Sequence, residues 1–192
     1  SLFEIYHGIE GCQVHLDYTT RWKDFHKYCS KVVAPYLVGS IMSGELIESM
    51  GGESKMDINK NCRVFNYMFR VPNAKVSGVE SLFNSHSKWM HKTHKGPGEP
   101  HPLVYAINKS LEQNDPFDSS KGLTGFTNIS LLEIYKGSEG CEVHLRDNSQ
   151  WVDYNKFVNE VLTPYKIGLI TIGEVVETIR FNQQGLLRKK AS

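Results

Sequence analysis

The sequence predicts an α+β fold, on three observations. Strand-like segments of alternating apolar and polar residues give way to helix-length stretches with apolar residues at helical spacing, in strand–helix–strand order. Glycine and proline clusters mark the joints between them. The segment Ser1–Glu48 recurs without a gap as Ser130–Glu177, 129 residues later, with 23 of 48 residues identical. That period is too long for a solenoid of about 20–50 residues per repeat and reads as a duplicated domain.

The elements follow in order. Leu2–Tyr6 alternates as a half-buried strand does, and Gly8 and Gly11 interrupt it. From 11 to 37, Val14, Trp22, Phe25, Tyr28, Cys29, Val32 and Val33 recur at helical spacing, until Pro35 and Gly39 stop the helix. A strand is expected over 44–50 and a polar linker over 51–61. Residues 63–71 are aromatic and β-branched, as strands are. A helix over 76–95 carries Val79, Leu82, Phe83, His86, Trp89, Met90 and His94 on one face, and the run Gly96-Pro97-Gly98-Glu99-Pro100 ends it. A strand over 103–111 and a loop over 114–127 follow. The repeat then returns as strand 129–135, helix 140–163 and strand 168–180. The basic tail 182–192 is expected to fray.

The order is thus βαβ three times over, and two successive βαβ pieces make the split β-α-β-β-α-β plan of a ferredoxin-like domain. Either the first two pieces or the last two form the complete unit. The chain holds about one and a half periods. It therefore reads as a piece of a tandem-domain protein, or as a chain whose half-unit another protomer completes.

Composition narrows the function classes. Hydrophobic content is 40% and charged content 22%, with a net charge of +1 and no block of like charges. Nothing in this favours nucleic acid or an anionic membrane as a partner, and no apolar run approaches the roughly 18 residues of a membrane span. No secretory leader pattern opens the sequence. Cys12, Cys29, Cys62 and Cys141 form no CxxC pair and read as small buried thiols, which fits a reducing, cytoplasmic compartment.

The string LLEIYKGSEGCEVHL, with Trp151 beyond it, resembles the third strand and second helix of the dimeric α/β-barrel superfamily, in its antibiotic-biosynthesis-monooxygenase-like branch. Glu133, Tyr135, His144, Leu145 and Trp151 stand at the matching places, as do Glu4, Tyr6, His15, Leu16 and Trp22. GPGEPHPLVYAIN resembles the family's second strand, with Tyr105 as its tyrosine. The resemblance makes 62–181 the complete ferredoxin-like domain and 1–50 the second half of another copy. It implies antiparallel sheets paired into a dimeric α/β barrel. The partner is then a second copy or a tandem unit, since a sheet covered by helices on one face needs cover on the other.

The densest polar cluster in the sequence is His86, Trp89, His91 and His94 with His101 beyond them. His86, Trp89, Met90 and His94 share a helix face, and His91 lies off it. No Glu or Asp accompanies these histidines in the HExxH arrangement, so no metal site is expected. His15 and His144 recur in both copies, which fits a structural role. The family's haem-degrading members pair a helix histidine four residues after an aromatic with a first-strand asparagine. Trp22, His26 and Asn66 resemble that set. The complete domain has Asn155 where His26 maps, so the set is split between units and haem degradation is not expected.

Cofactor-free monooxygenases and cyclases of the superfamily use His, Tyr, Asn and Trp around an apolar cavity. By that resemblance His86, His94 and Tyr105 are the candidate catalytic residues, and Trp89, Asn66, Tyr67 and Met90 the candidate substrate-binding ones. A histidine base with a tyrosine holding an enolate oxygen is the expected chemistry, without a cofactor, on a small-molecule ligand. The alternative is a non-catalytic ligand-binding or assembly protein of the same fold.

Overall fold

A computed structural model of the chain describes residues 4, 8–36, 44–51, 58, 61–94, 102–116, 118–168 and 170–176. The expected strand at Leu2–Tyr6, the linker and the basic tail lie wholly or largely outside these residues. The described chain is α+β, built on one five-stranded antiparallel sheet. Its strands are β1 (Glu45–Gly51), β2 (Cys62–Pro72), β3 (Pro102–Gln113), β4 (Leu123–Lys136) and β5 (Thr171–Glu174), in the order β1-β3-β4-β2-β5. The helices are α1 (Gly8–Arg21), α2 (Phe25–Tyr28), α3 (Ala34–Tyr36), α4 (Val76–Thr93), α5 (Gly137–Asp147), α6 (Tyr154–Phe157) and α7 (Thr163–Tyr165). A π-helical turn joins α2 to α3 over Cys29–Val33, and another joins α6 to α7 over Val158–Leu162. Among the described residues no helix is long and apolar enough to cross a membrane.

The duplication survives in local structure. The second helix, the π-turn and the short third helix of each copy start and stop at equivalent residues. Each copy is also broken at the same place, Trp22–Asp24 and Trp151–Asp153, where one continuous helix is expected. The reason is visible in the second copy. Trp151 takes an extended backbone, which turns its indole inward, and Nε1–H donates to Ser85 Oγ on α4 at 3.0 Å. Ser85 in turn donates to Asp153. The helix gives up a turn so that tryptophan and aspartate clamp α4.

Two further boundaries shift. β4 begins at Leu123, inside the stretch expected to be loop, because β2 and β3 flank it and supply pairing for Phe126 and Thr127. Threonine, glycine and asparagine there hide the strand from an apolar-alternation reading. α5 begins at Gly137, three residues early. Gly137 has φ +79, a conformation that suits glycine, and it reverses the chain from β4 into α5 in a single residue.

Side chains alternate cleanly across the sheet. Phe65, Tyr67, Phe69 and Val71 of β2, Tyr105 and Ile107 of β3, and Ile129, Leu131, Glu133 and Tyr135 of β4 share the face on which α4 and α5 lie. Phe69, Phe83 and Phe157 meet edge to face with centroids 5.6–6.0 Å apart and knit sheet, α4 and α6 together. Val79, Leu82, Phe83, His86 and Met90 of α4 are buried on this side, the face that the helical spacing predicts. Asn66, Met68, Asn108, Asn128, Ser130 and Leu132 lie on the opposite face of the sheet.

Both outer strands descend from one repeat strand. β5 closes the β2 edge, with Glu174 opposite Arg63. Glu45, the equivalent of Glu174, begins β1, which closes the β3 edge opposite Lys109.

Candidate active site

Three elements converge on one buried point. β4 supplies Glu133, which faces Phe65 on one side and Tyr105 on the other. α5 supplies His144, seven residues after Gly137 and therefore on the sheet-facing side, beside Cys141. α4 supplies His86, with His94 just past its C-terminus. Glu133 and His144 are 0% and 1% exposed, and His86 and His94 are 5% exposed.

The contacts form a continuous network. His144 Nε2 lies 3.3 Å from Glu133 Oε2, and its Nδ1 lies 3.2 Å from His94 Nε2. Tyr135 Oη donates to Glu133 Oε2 at 3.0 Å. His86 Nδ1 meets Tyr105 Oη at 2.9 Å, and Ser87 Oγ donates to the same tyrosine at 3.2 Å. The His94 Nδ1 lies 2.7 Å from Thr93 Oγ1, whose proton goes to the Trp89 carbonyl. With the His94 and His144 rings neutral, these contacts set their tautomers. Thr93 must accept from His94 Nδ1–H, so His94 Nε2 accepts from His144 Nδ1–H. His144 Nε2 is then left with a lone pair aimed at Glu133. Trp89 stacks on His86 at 5.7 Å and meets His94 edge-on at 5.1 Å. Trp151 also packs on His86, tilted, at 4.9 Å.

Burial sets the charge state. Desolvation first, then the nearby His94, push the His86 imidazole down to about 3, against a hydrogen bond that the ring donates to Asn148. Desolvation and the facing His86 and His94 hold His144 well below the usual imidazole range. Desolvation lifts the Glu133 carboxyl to about 8, although the Tyr135 hydroxyl opposes it. Burial, then Glu133, keep the Tyr67 phenol far above its usual range. At neutral pH the His86 and His144 rings are therefore neutral and the Glu133 carboxyl is largely protonated. Glu133 Oε1 is buried and has no hydrogen-bond partner among the described residues, an uncommon state for a carboxyl oxygen.

A cavity of about 80 Å³ abuts the cluster. Glu133, His86 and His144 form its polar wall, and Phe65, Tyr67, Trp151 and Phe157 are among its aromatic ones.

The candidates named from sequence divide three ways. His86, His94 and Tyr105 come together in the network, with Trp89 against both histidines. Tyr67 lines the cavity. Asn66, one residue along β2, lies on the opposite face of the sheet, its Oδ1 buried and unpartnered. Met90 is fully buried in the apolar core rather than in the cavity wall. His91 is exposed, as its place on the helix predicts, and so is His26.

Glu133, Tyr135, Asn148 and Trp151 were not singled out as site residues, and His144 was read as structural. For all but Asn148, whose equivalent is Thr19, the signal was present: Glu4, Tyr6, His15 and Trp22 repeat them. The carboxylate missing from α4 comes from β4, which no motif along one helix could show. The repeat also reproduces the contact, since His15 Nε2 lies 3.3 Å from Glu4 Oε2, both partly exposed.

No family model matches the sequence, and no curated protein or solved structure is significantly similar to it.

Proposed function

We propose that the chain is a small-molecule enzyme of the dimeric α/β-barrel type, with a ferredoxin-like domain over 62–181 and its catalytic centre in the cavity beneath α4 and α5. The strand order supports the domain reading. β4, third in the domain, lies between the first and second strands, β2 and β3, and β5 closes beside the first.

The observation that carries the functional reading is the buried His144–Glu133 pair opening on an aromatic cavity. A carboxyl raised to about 8 suits general acid–base work near neutral pH, and the neutral His144 ring beside it orients its proton. Tyr67 stays protonated and can donate to an oxygen that gains charge. The aromatic wall selects a small, flat, largely apolar substrate with an acidic C–H or O–H. This is the chemistry of a monooxygenase or cyclase that works on a substrate carbanion or enolate.

Trp151 and Trp89 provide the readout. A panel of small phenols and enolisable ketones is screened by quenching of their fluorescence, and the compounds that bind are tested for turnover. Glu133→Gln and His144→Ala are expected to lower turnover by at least about 100-fold, while His91→Ala leaves it unchanged. Equal turnover in all three variants overturns the reading. Binding without turnover in the unmutated chain favours the second reading, a ligand-binding protein, which the small size of the cavity supports.

A further inference from the structure

We infer that His86, Glu133 and His144 form a binding site for a divalent first-row transition ion such as Zn²⁺ or Fe²⁺. One nitrogen of each ring and a carboxylate oxygen lie within 4.8 Å of one another, and all three residues are buried. The inference goes beyond acid–base catalysis and does not depend on it.

Four observations support the assignment. The first is distance. Two ligands each about 2.0–2.1 Å from a tetrahedral ion stand about 3.3 Å apart. His144 Nε2 and Glu133 Oε2 are 3.3 Å apart, long for a hydrogen bond between these atoms and right for two ligands of one ion. The second is the unpartnered Glu133 Oε1, fully buried beside the cluster. A carboxyl buried with an empty lone-pair side is costly to keep, and an ion held by both carboxyl oxygens would satisfy it.

The third is the ring of outer partners. A ligating histidine uses one nitrogen for the metal and engages the other with a neighbour that fixes its orientation. His144 Nδ1 is engaged by His94, which leaves its Nε2 facing Glu133 for the ion. His86 has Tyr105 and Asn148 on its ring, and of the two only Asn148 lines the cavity, so the ion would displace Asn148 and keep Tyr105. Tyr135 holds Glu133.

The fourth is the donor set. Two histidines and one carboxylate suit Zn²⁺ in its catalytic form or non-haem Fe²⁺, with positions left open for water or substrate. Here the open side is the cavity of about 80 Å³, room for the ion's water ligands. The repeat supplies its own comparison. Glu4 and His15 reproduce two of the three ligands at the same 3.3 Å spacing, but α4, which carries His86, has no second copy in the chain. That pair is a half-site.

The test uses the metal alone. The full chain, stripped with a chelator, is titrated with Co²⁺ by visible absorption and with Zn²⁺ by calorimetry. One ion per chain is expected, with the d–d bands of a four- or five-coordinate cobalt. Glu133→Gln and His86→Gln should each weaken binding by more than about tenfold, and Tyr105→Phe by about tenfold, since it removes only an orienting group. Glu4→Gln should leave affinity unchanged. Absence of cobalt bands in the unmutated chain overturns the site whatever the variants do. So does affinity that Glu133→Gln and His86→Gln leave intact, or that Glu4→Gln abolishes. Because no substrate is involved, failure here leaves the acid–base reading standing, and failure of turnover leaves the metal site standing.

Discussion

Glu133 is the residue on which the site turns, and its environment makes a pH signature. Tyr135, Tyr67, Cys141 and the rings of His86 and His144 surround it, and among the described residues no lysine or arginine pairs with its carboxyl oxygens. In metal-free protein, a carboxyl raised to about 8 contributes stability below its unfolded value and loses it as pH climbs to 8. Histidines pushed down do the reverse, contributing above about 6.5 and losing stability as pH falls towards the folded value, about 3 for His86. The two histidines outweigh the single carboxyl between about pH 4.5 and 6.5, and the carboxyl alone acts above that. Stability of the chelated chain should therefore peak near pH 6.5 and decline on both sides, each group contributing on the order of 1 kcal/mol per pH unit. Glu133→Gln should flatten the alkaline decline and leave the acid one. Thermal melts between pH 4 and 9 measure this, and an alkaline decline that survives Glu133→Gln would show that the carboxyl ionises freely in the fold. The histidine face of α4 was legible from helical spacing alone. Glu133 was not, because a lone acid in a strand looks solvent-facing until its parity with Leu131 and Tyr135 is set against the neighbouring strands.

At the level of elements, the duplicated strand shows how one sequence serves two edges. Gly44 precedes β1, and a Cβ built there would fall 1.9 Å from the Lys109 carbonyl oxygen of β3. The strand reaches its pairing position only because that residue has no side chain. Gly173, its repeat equivalent in β5, meets nothing within 4 Å. Gly44→Ala should therefore strip β1 from the β3 edge at a cost of about 1–3 kcal/mol, and Gly173→Ala should change little. Denaturant unfolding gives the stabilities, and hydrogen exchange at 104–109 shows whether the edge has opened. Equal effects from the two substitutions would mean that the β1–β3 approach is not as close as described. The repeat announced that the two strands are homologous. It could not announce that they sit on opposite edges, because edge choice depends on what each strand meets, not on its own residues. The same limit explains the broken helices. Trp22 and Trp151 fit the apolar periodicity of a continuous helix, and only the Ser85 hydroxyl and Asp153 show why the second copy breaks.

The whole molecule is asymmetric in burial where it is symmetric in sequence. Trp151 and Val161 are 3% and 0% exposed, against 48% and 47% for their equivalents Trp22 and Val32. Tyr28 and Tyr36 are likewise open where Phe157 and Tyr165 are covered wholly or in part. The second copy shows what the covering surface is: the inner face of β2 and the apolar stripe of α4, with Ser85 and Phe83 as its contacts. The first half-unit presents the same residues without that surface beside it. A run of exposed aromatic and branched side chains of this kind is expected to be an interface; in the 62–165 unit the equivalent surface of β2 and α4 is already covered by the second copy, so a partner would meet the run with another face. This fits the reading in which a second copy completes the half-unit. The chain is expected to run as a dimer or larger species in light scattering after size exclusion, at tens of micromolar. Trp22→Glu with Val32→Glu should shift it to the monomer mass without lowering its melting temperature by more than a few degrees, since neither side chain is in the described core. Val152→Glu, at a residue 90% exposed beside the Trp151 break, should not shift it. A monomeric unmutated chain at that concentration would instead leave the half-unit uncovered and refute assembly through this face.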